Sequence, residues 1–215
     1  MKDDRYGGQR IVAVGAPLGQ APATVIMVHG RNAGPANILD LVPGLGRPDL
    51  TYLAPTAAGG TWYPQSFMAD IARNEPYLTS ALQTIETVVA HAEAAGVPRS
   101  RIVLLGFSQG ACLTSEFAVR HASRFSALII FTGGLIGPPG TEWDYPGNFA
   151  GTPVFFGSGD PDAHVPVSRV MESAEVFTRM GADVKTSIYP GRGHRVGDEE
   201  IEIARAMLDR LATPA

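Results

Sequence analysis

A single cysteine, Cys112, among 215 residues rules out an intrachain disulfide and points to a reducing compartment. Charge is also scarce: 17 lysines and arginines against 21 aspartates and glutamates leave a net charge of −4. No block of basic residues interrupts the chain, so neither nucleic acid nor an anionic membrane surface is an expected partner. The opening Met1–Gly8 lacks the apolar core of a secretory leader, and no run approaches the length of a membrane span. The expected location is the cytoplasm. There is no internal repeat, low-complexity tract or linker. With 45% hydrophobic residues, the chain reads as one domain over residues 1–215 with a sizeable core.

Apolar runs of strand length alternate with helical patterns. Residues 11–14, 24–28, 50–54, 102–107, 127–132, 154–156 and 184–189 read as strands. Several are continuously apolar, as when both faces of a parallel sheet are covered. Tyr77, Leu78, Ala81, Leu82, Ile85, Val88 and Val89 recur at helical spacing, and Gly96 and Pro98 stop that helix. Val170, Ala174 and Phe177 mark a second helix ended by Gly181. Ile201, Ala204, Met207, Leu208 and Leu211 mark the last, with Asp198, Glu199 and Glu200 suited to its N-terminal dipole. This alternation predicts a mostly parallel α/β sheet with right-handed crossovers. About twenty turn-rich residues separate Thr132 from Pro153, too few for a cap domain, which predicts an open site.

The run Ile102-Val-Leu-Leu-Gly106-Phe-Ser108-Gln-Gly110 is the densest signal. A strand ends in G-x-S-x-G and a helix-compatible segment follows at once, the pattern of a nucleophile elbow. Side chains two residues either side of such a serine would clash, so glycine is needed at both places. The turn lifts the hydroxyl out of the sheet and sets a helix N-terminus beneath the reacting atom. Cys112, one turn further on, reads as a small buried residue.

A serine hydroxyl needs a base, and the base needs an orienting acid. In an elbow-bearing hydrolase these follow in the order Ser, Asp/Glu, His. Of the five histidines, His91 and His121 sit in helical, surface-like surroundings. His194 lies in Tyr189-Pro-Gly-Arg-Gly-His194, directly after the last strand, where a base could reach a serine at another strand's end. The acid belongs on the loop after the preceding strand, which offers Asp160 and Asp162. Spacing alone does not choose between them; the other would be a turn former near Pro161. His164 reads as packing or capping that loop.

The tetrahedral intermediate needs two N–H donors. One is Gln109, after the nucleophile. The loop His29-Gly30-Arg31-Asn32-Ala33 supplies the other, with Gly30 letting the backbone turn so that Arg31 donates. His29 is then structural. Trp62 and Tyr63, in the aromatic stretch Thr61-Trp-Tyr-Pro-Gln-Ser-Phe67, could wall a substrate pocket or pin a surface loop. Phe67 reads as core.

His29-Gly30, Gly-Phe-Ser-Gln-Gly, Asp-Ala-His-Val-Pro and Tyr-Pro-Gly-x-Gly-His together resemble the phospholipase/carboxylesterase family of α/β-hydrolases, from about Val25 to Leu211. That family includes bacterial carboxylesterases and acyl-protein thioesterases. Aligned without gaps from Pro153 to Pro166, the family's catalytic aspartate falls on Asp162. Two departures stand out. Ser158 replaces a loop histidine, and the H-G-x-G-D oxyanion loop reads His29-Gly30-Arg31-Asn32-Ala33. The resemblance implies an α/β-hydrolase fold without a cap and a serine esterase for small to medium acyl esters. Its triad would be Ser108, His194 and Asp162. It implies no metal or organic cofactor and a small-molecule ester as partner; a homodimer is left open. Lysophospholipid or thioester hydrolysis is the near alternative. A non-catalytic ligand-binding protein on the same fold is the alternative of another class.

Overall fold

The computed structural model describes residues 2–6 and 8–211. The ends of the expected 1–215 domain, Met1 and residues 212–215, lie outside the described residues, as does Gly7 of the N-terminal segment. In chain order the elements are strands β1 (Lys2–Tyr6), β2 (Gln9–Gly15) and β3 (Thr24–Val28), helices α1 (Pro35–Leu39) and α2 (Val42–Leu45), and β4 (Thr51–Pro55). Helix α3 (Tyr77–Ala94), β5 (Ile102–Phe107), α4 (Gln109–Arg120) and β6 (Ala127–Phe131) follow. The chain closes with β7 (Pro153–Asp160), α5 (Val167–Arg179), β8 (Asp183–Pro190) and α6 (Asp198–Asp209). The eight strands form one sheet in the order β1-β2-β4-β3-β5-β6-β7-β8. Pairings β1/β2 and β2/β4 are antiparallel, and the rest are parallel.

Alternation along the buried strands divides the core in two. Ile26, Leu104, Ile130 and Phe156 point to one face, where Leu78, Ile85 and Val89 of α3, Leu113 and Phe117 of α4, and Phe177 of α5 cover them. Val25, Met27, Val103, Leu105, Ile129 and Phe155 point to the other, against Ile38, Leu45, Ala204 and Leu208. Each such side chain taken from water stabilises the fold by about 1.5–3 kcal/mol. A parallel sheet covered on both faces needs apolar residues at consecutive positions, which is why these strands read as unbroken apolar runs.

All seven strands expected from the sequence are present, with β7 extended to Asp160. Strand β1 was not expected: its sequence, Lys-Asp-Asp-Arg-Tyr, has no apolar alternation, and it pairs only at the sheet edge. Helices α1 and α2 are also additions, each a short turn with proline at its start. Between Phe131 and Pro153 the chain forms neither helix nor strand. Arg169 of α5 holds this connection, donating from Nη1 to the carbonyls of Leu135 (3.0 Å) and Gly137 (2.7 Å).

The sheet's centre sets a hard limit at Gly110. A methyl group there would sit 2.5 Å from the His29 carbonyl oxygen and closer still to that of Val28. Both are backbone atoms and cannot turn aside. Gly110→Ala should therefore lower stability by more than about 2 kcal/mol. Gly34→Ala, whose added carbon meets nothing within 4 Å at an extended φ of −153°, should change it little. Thermal melting of the two variants against the parent checks this; equal midpoints would refute the packing argument.

Candidate active site

Ser108 sits between the last residue of β5 and the first of α4 with φ 55° and ψ −122°. A non-glycine residue held there costs on the order of 1–3 kcal/mol, so its surroundings must fix it. The Ser108 N–H donates to the Phe131 carbonyl (3.0 Å), and its carbonyl accepts from the Cys112 N–H (3.0 Å). Both flanking glycines are in close contact: a methyl on Gly106 would lie 2.7 Å from the Ala111 Cα.

His194 follows β8, and its Nε2 lies 2.7 Å from Ser108 Oγ. Its Nδ1 lies 2.8 Å from Asp162 Oδ2 and 3.1 Å from Oδ1. A carboxylate only accepts, so Nδ1 carries the proton and Nε2 is free to accept from the serine hydroxyl. The Asp162 side chain is wholly buried. Burial alone would raise its pKa. The N–H groups of His164 (2.7 Å) and Val165 (2.9 Å), together with the His194 ring, outweigh that and hold the carboxyl below its usual range. Asp160, by contrast, is exposed at the end of β7 and precedes a cis Pro161. The fold thus brings Asp162 to His194, and leaves Asp160 outside the cluster.

The His194 ring is gripped on two sides. Phe107 packs at 5.2 Å between centroids, and His164 meets it edge-on at 4.8 Å. His164 is exposed at the cleft, so it both caps Asp162 through its backbone and borders the His194 ring. Gln109 opens α4, where the first N–H groups have no intrahelical acceptor. Arg31 follows Gly30, which lies beside the serine: a methyl added there would be at contact distance, 3.4 Å, from Ser108 Cβ.

The Gln109 side chain has a role the sequence did not reveal. Its Oε1 accepts from the Trp62 N–H (3.0 Å), and its Nε2 donates to the Tyr63 carbonyl (2.7 Å). The partners lie far away in sequence, so no local pattern announces them. Trp62 in turn donates from Nε1 to the His29 carbonyl (2.8 Å) and packs on the His29 ring at 4.8 Å. His29 Nε2 accepts from the Ala57 N–H, so Nδ1 donates to the Gly30 carbonyl. Burial lowers the His29 pKa and keeps this ring neutral.

Trp62 is a correction to the pocket reading. It is 4% exposed and locks the loop from behind, and the cavity beside Ser108 is not walled by it. Tyr63 does line that cavity, of about 460 Å³, with Phe67, Cys112 and Val165. All four are buried side chains. Burial raises the Tyr63 pKa well above its ordinary value and pushes the Cys112 thiol up to about 12, so both stay protonated and Cys112 is inert as a nucleophile. A second cavity, of about 500 Å³, meets Ser108 and His194 from the side of Ile38, Leu41, Phe107 and Val196. His121, expected to be solvated, is only partly so: its ring stacks on Phe117 at 4.5 Å.

The family described as phospholipase/carboxylesterase matches residues 9–212 of the chain. The crystal structure of a phospholipase/carboxylesterase from Dyadobacter fermentans superposes with a TM-score of 0.89 and 42% identity, covering 95% of this chain and 99% of that one. A carboxylesterase-named protein of Oryza sativa subsp. japonica is 25% identical over 207 residues, 87% of this chain and 88% of its own length. Acyl-protein thioesterase 1 of Gibberella zeae is 31% identical over 121 residues, so that match spans 55% of this chain and 52% of the fungal protein. The chain belongs to the phospholipase/carboxylesterase family of α/β-hydrolases, serine hydrolases that act on esters.

Proposed function

We propose that this chain is a carboxylesterase for small to medium acyl esters, with Ser108 as nucleophile, His194 as base and Asp162 as orienting acid. The observation that carries the reading is the continuous contact from Ser108 Oγ through the His194 ring to Asp162, at 2.7 and 2.8 Å. His194 Nε2 takes the hydroxyl proton as Ser108 attacks the acyl carbon. The resulting imidazolium returns that proton to the leaving alkoxide. Asp162 remains ionised throughout, because its backbone donors oppose protonation. The Gln109 and Arg31 N–H groups stabilise the oxyanion. Water, activated by the same imidazole, then releases the acid. The acyl chain enters the cavity floored by Tyr63, Phe67, Cys112 and Val165.

The same groups would cleave a thioester, and the similarity to a fungal acyl-protein thioesterase favours that as the second reading. Having one buried thiol, the chain suits the reducing cytoplasm.

Three outcomes are expected. Ser108→Ala should lose at least about three orders of magnitude in turnover of p-nitrophenyl butyrate while melting like the parent, since no other group can replace the nucleophile. Turnover within tenfold of the parent would sink the assignment of Ser108, and a parent without turnover would favour a ligand-binding role.

Asp162→Asn should cost about 10³–10⁴ in kcat, because the amide supports the wrong imidazole tautomer. Asp160→Asn should cost far less. Purified, folded variants ranked the other way would make Asp160 the acid.

Across p-nitrophenyl esters of graded acyl length, kcat/KM should rise over the first few carbons and flatten or fall by about C8. Each buried methylene contributes about 0.8 kcal/mol, and an uncapped cleft buries few of them. A steady rise to C16, or a jump in rate at the substrate's critical micelle concentration, would contradict this.

A further inference from the structure

The acyl half of an ester needs only one of the two cavities that meet at Ser108. The other is walled by Ile38 of α1, Leu41 between α1 and α2, Phe107 just before the serine, and Val196 two residues past the base. Ile38 is buried, and Leu41, Phe107 and Val196 are half-buried, so an apolar surface of four side chains opens directly onto the reacting atoms. Polar groups stand at its rim, Asn37 and Arg195, both exposed, while Arg31 borders both cavities and turns its guanidinium to the Pro64 and Gln65 carbonyls of the first. The first cavity differs in kind, with Asn32, Gln65, Ser66 and His164 along its edge.

An ester presents two substituents that diverge from the carbonyl carbon. With the carbonyl oxygen turned toward the Gln109 and Arg31 N–H groups, one substituent runs along the Gln109 side. Gln109 borders the first cavity and not the second. The other substituent carries the leaving oxygen, which must come within reach of His194 Nε2 to receive a proton. His194 borders both cavities, but the chain that continues from it through Arg195 to Val196 lines the second alone.

We propose that the second cavity holds the alcohol part of the substrate, which makes this chain selective for esters of uncharged, apolar alcohols. The proposal rests on the esterase reading given above. Leu41, Ile38 and Val196 would set the preference by covering the alkyl group, and Arg195 at the mouth disfavours a cationic alcohol such as choline.

The test holds the acyl group constant and varies the alcohol: methyl, ethyl, butyl and hexyl butyrate, followed by titrating the released acid. These alcohols have nearly equal acidity, so a trend in kcat/KM reports binding of the leaving group and not its chemistry. The parent should gain up to about fourfold per methylene from methyl to butyl, and choline butyrate should be poorer than its neutral isostere. Leu41→Asn should flatten the alcohol series, while methyl esters of increasing acyl length keep their slope. Val196→Ser, at a half-exposed position, gives the same reading should Leu41→Asn fail to fold.

A flat alcohol series in the parent overturns the proposal, as does a Leu41 or Val196 variant that flattens the acyl series instead. If Ser108→Ala retains the whole alcohol series, the esterase reading fails and this proposal falls with it. A flat series in the parent, with Ser108→Ala abolishing activity, overturns the proposal alone.

Discussion

The start of helix α4 meets the ends of β3 and β5 backbone to backbone, and that contact fixes everything else at the site. With glycine at 106 and 110, the first turn of α4 comes within van der Waals distance of the Val28 and His29 carbonyls and of β5. Nothing larger fits, so the helix cannot slide, and Ser108 is held at a positive φ that it would not choose. The strain is offset by ordinary backbone hydrogen bonds to Phe131 and from Cys112. In the proposed reaction, a serine fixed in this way loses little conformational freedom when substrate arrives.

Around this rigid point the loops are tied by side chains of long sequence reach. Gln109 and His29 share Trp62 as partner, which couples the elbow, the oxyanion loop and the aromatic loop into one unit. On the opposite side Arg192 anchors the loop that carries His194. It packs 3.9 Å from the Tyr189 ring centroid and donates to Glu199 and to the buried Glu200 (3.1 Å). Burial pushes the Glu200 carboxyl up, while the Gly197 N–H and Arg192 pull it back. Arg169, almost wholly buried, makes a third tie, joining α5 to the 133–152 connection beneath the rings of Phe67 and Trp143. That tie explains how a long segment without helix or strand can stay ordered and leave the cleft uncapped.

How legible each feature was in the sequence follows from how local its cause is. The elbow's signal is local, two glycines and a serine within five residues, although the carbonyls that exclude a side chain at Gly110 belong to Val28 and His29. The core strands are nearly so, since covering both sheet faces requires consecutive apolar side chains. Helices α1 and α2 left no periodic trace because five and four residues are too few to show one. The choice between Asp160 and Asp162 was not legible from spacing, because they stand two residues apart where β7 ends and its loop begins, and differ in which carboxyl turns inward. The N–H groups of His164 and Val165 make that difference, and they depend on how the loop folds. Composition marked Trp62 and Tyr63 as notable but could not say which ring faces the cleft. Gln109 and Arg169 were invisible as ties because their partners lie dozens of residues away.

The two arms of the cleft follow from the same arrangement. The strand order places β3 beside β5, so the loop after β3 and the start of α4 approach Ser108 together from the oxyanion side. Strands β7 and β8 pair from Pro153 to Asp160, which delivers the Asp162 and His194 loops as a second unit. Space remains only where these two units part. On one side of Ser108 the Asp162 loop faces the aromatic loop, with His164 and Val165 opposite Tyr63 and Phe67. On the other side the His194 loop faces α1, with Val196 opposite Ile38 and Leu41. A serine fixed between two such openings presents its hydroxyl to a carbonyl whose substituents extend in different directions. The buried walls of both openings are mainly apolar, so affinity comes chiefly from area covered and orientation from the few polar groups at Ser108. For the proposed esterase, selectivity is then a property of loop side chains, while reactivity belongs to the sheet.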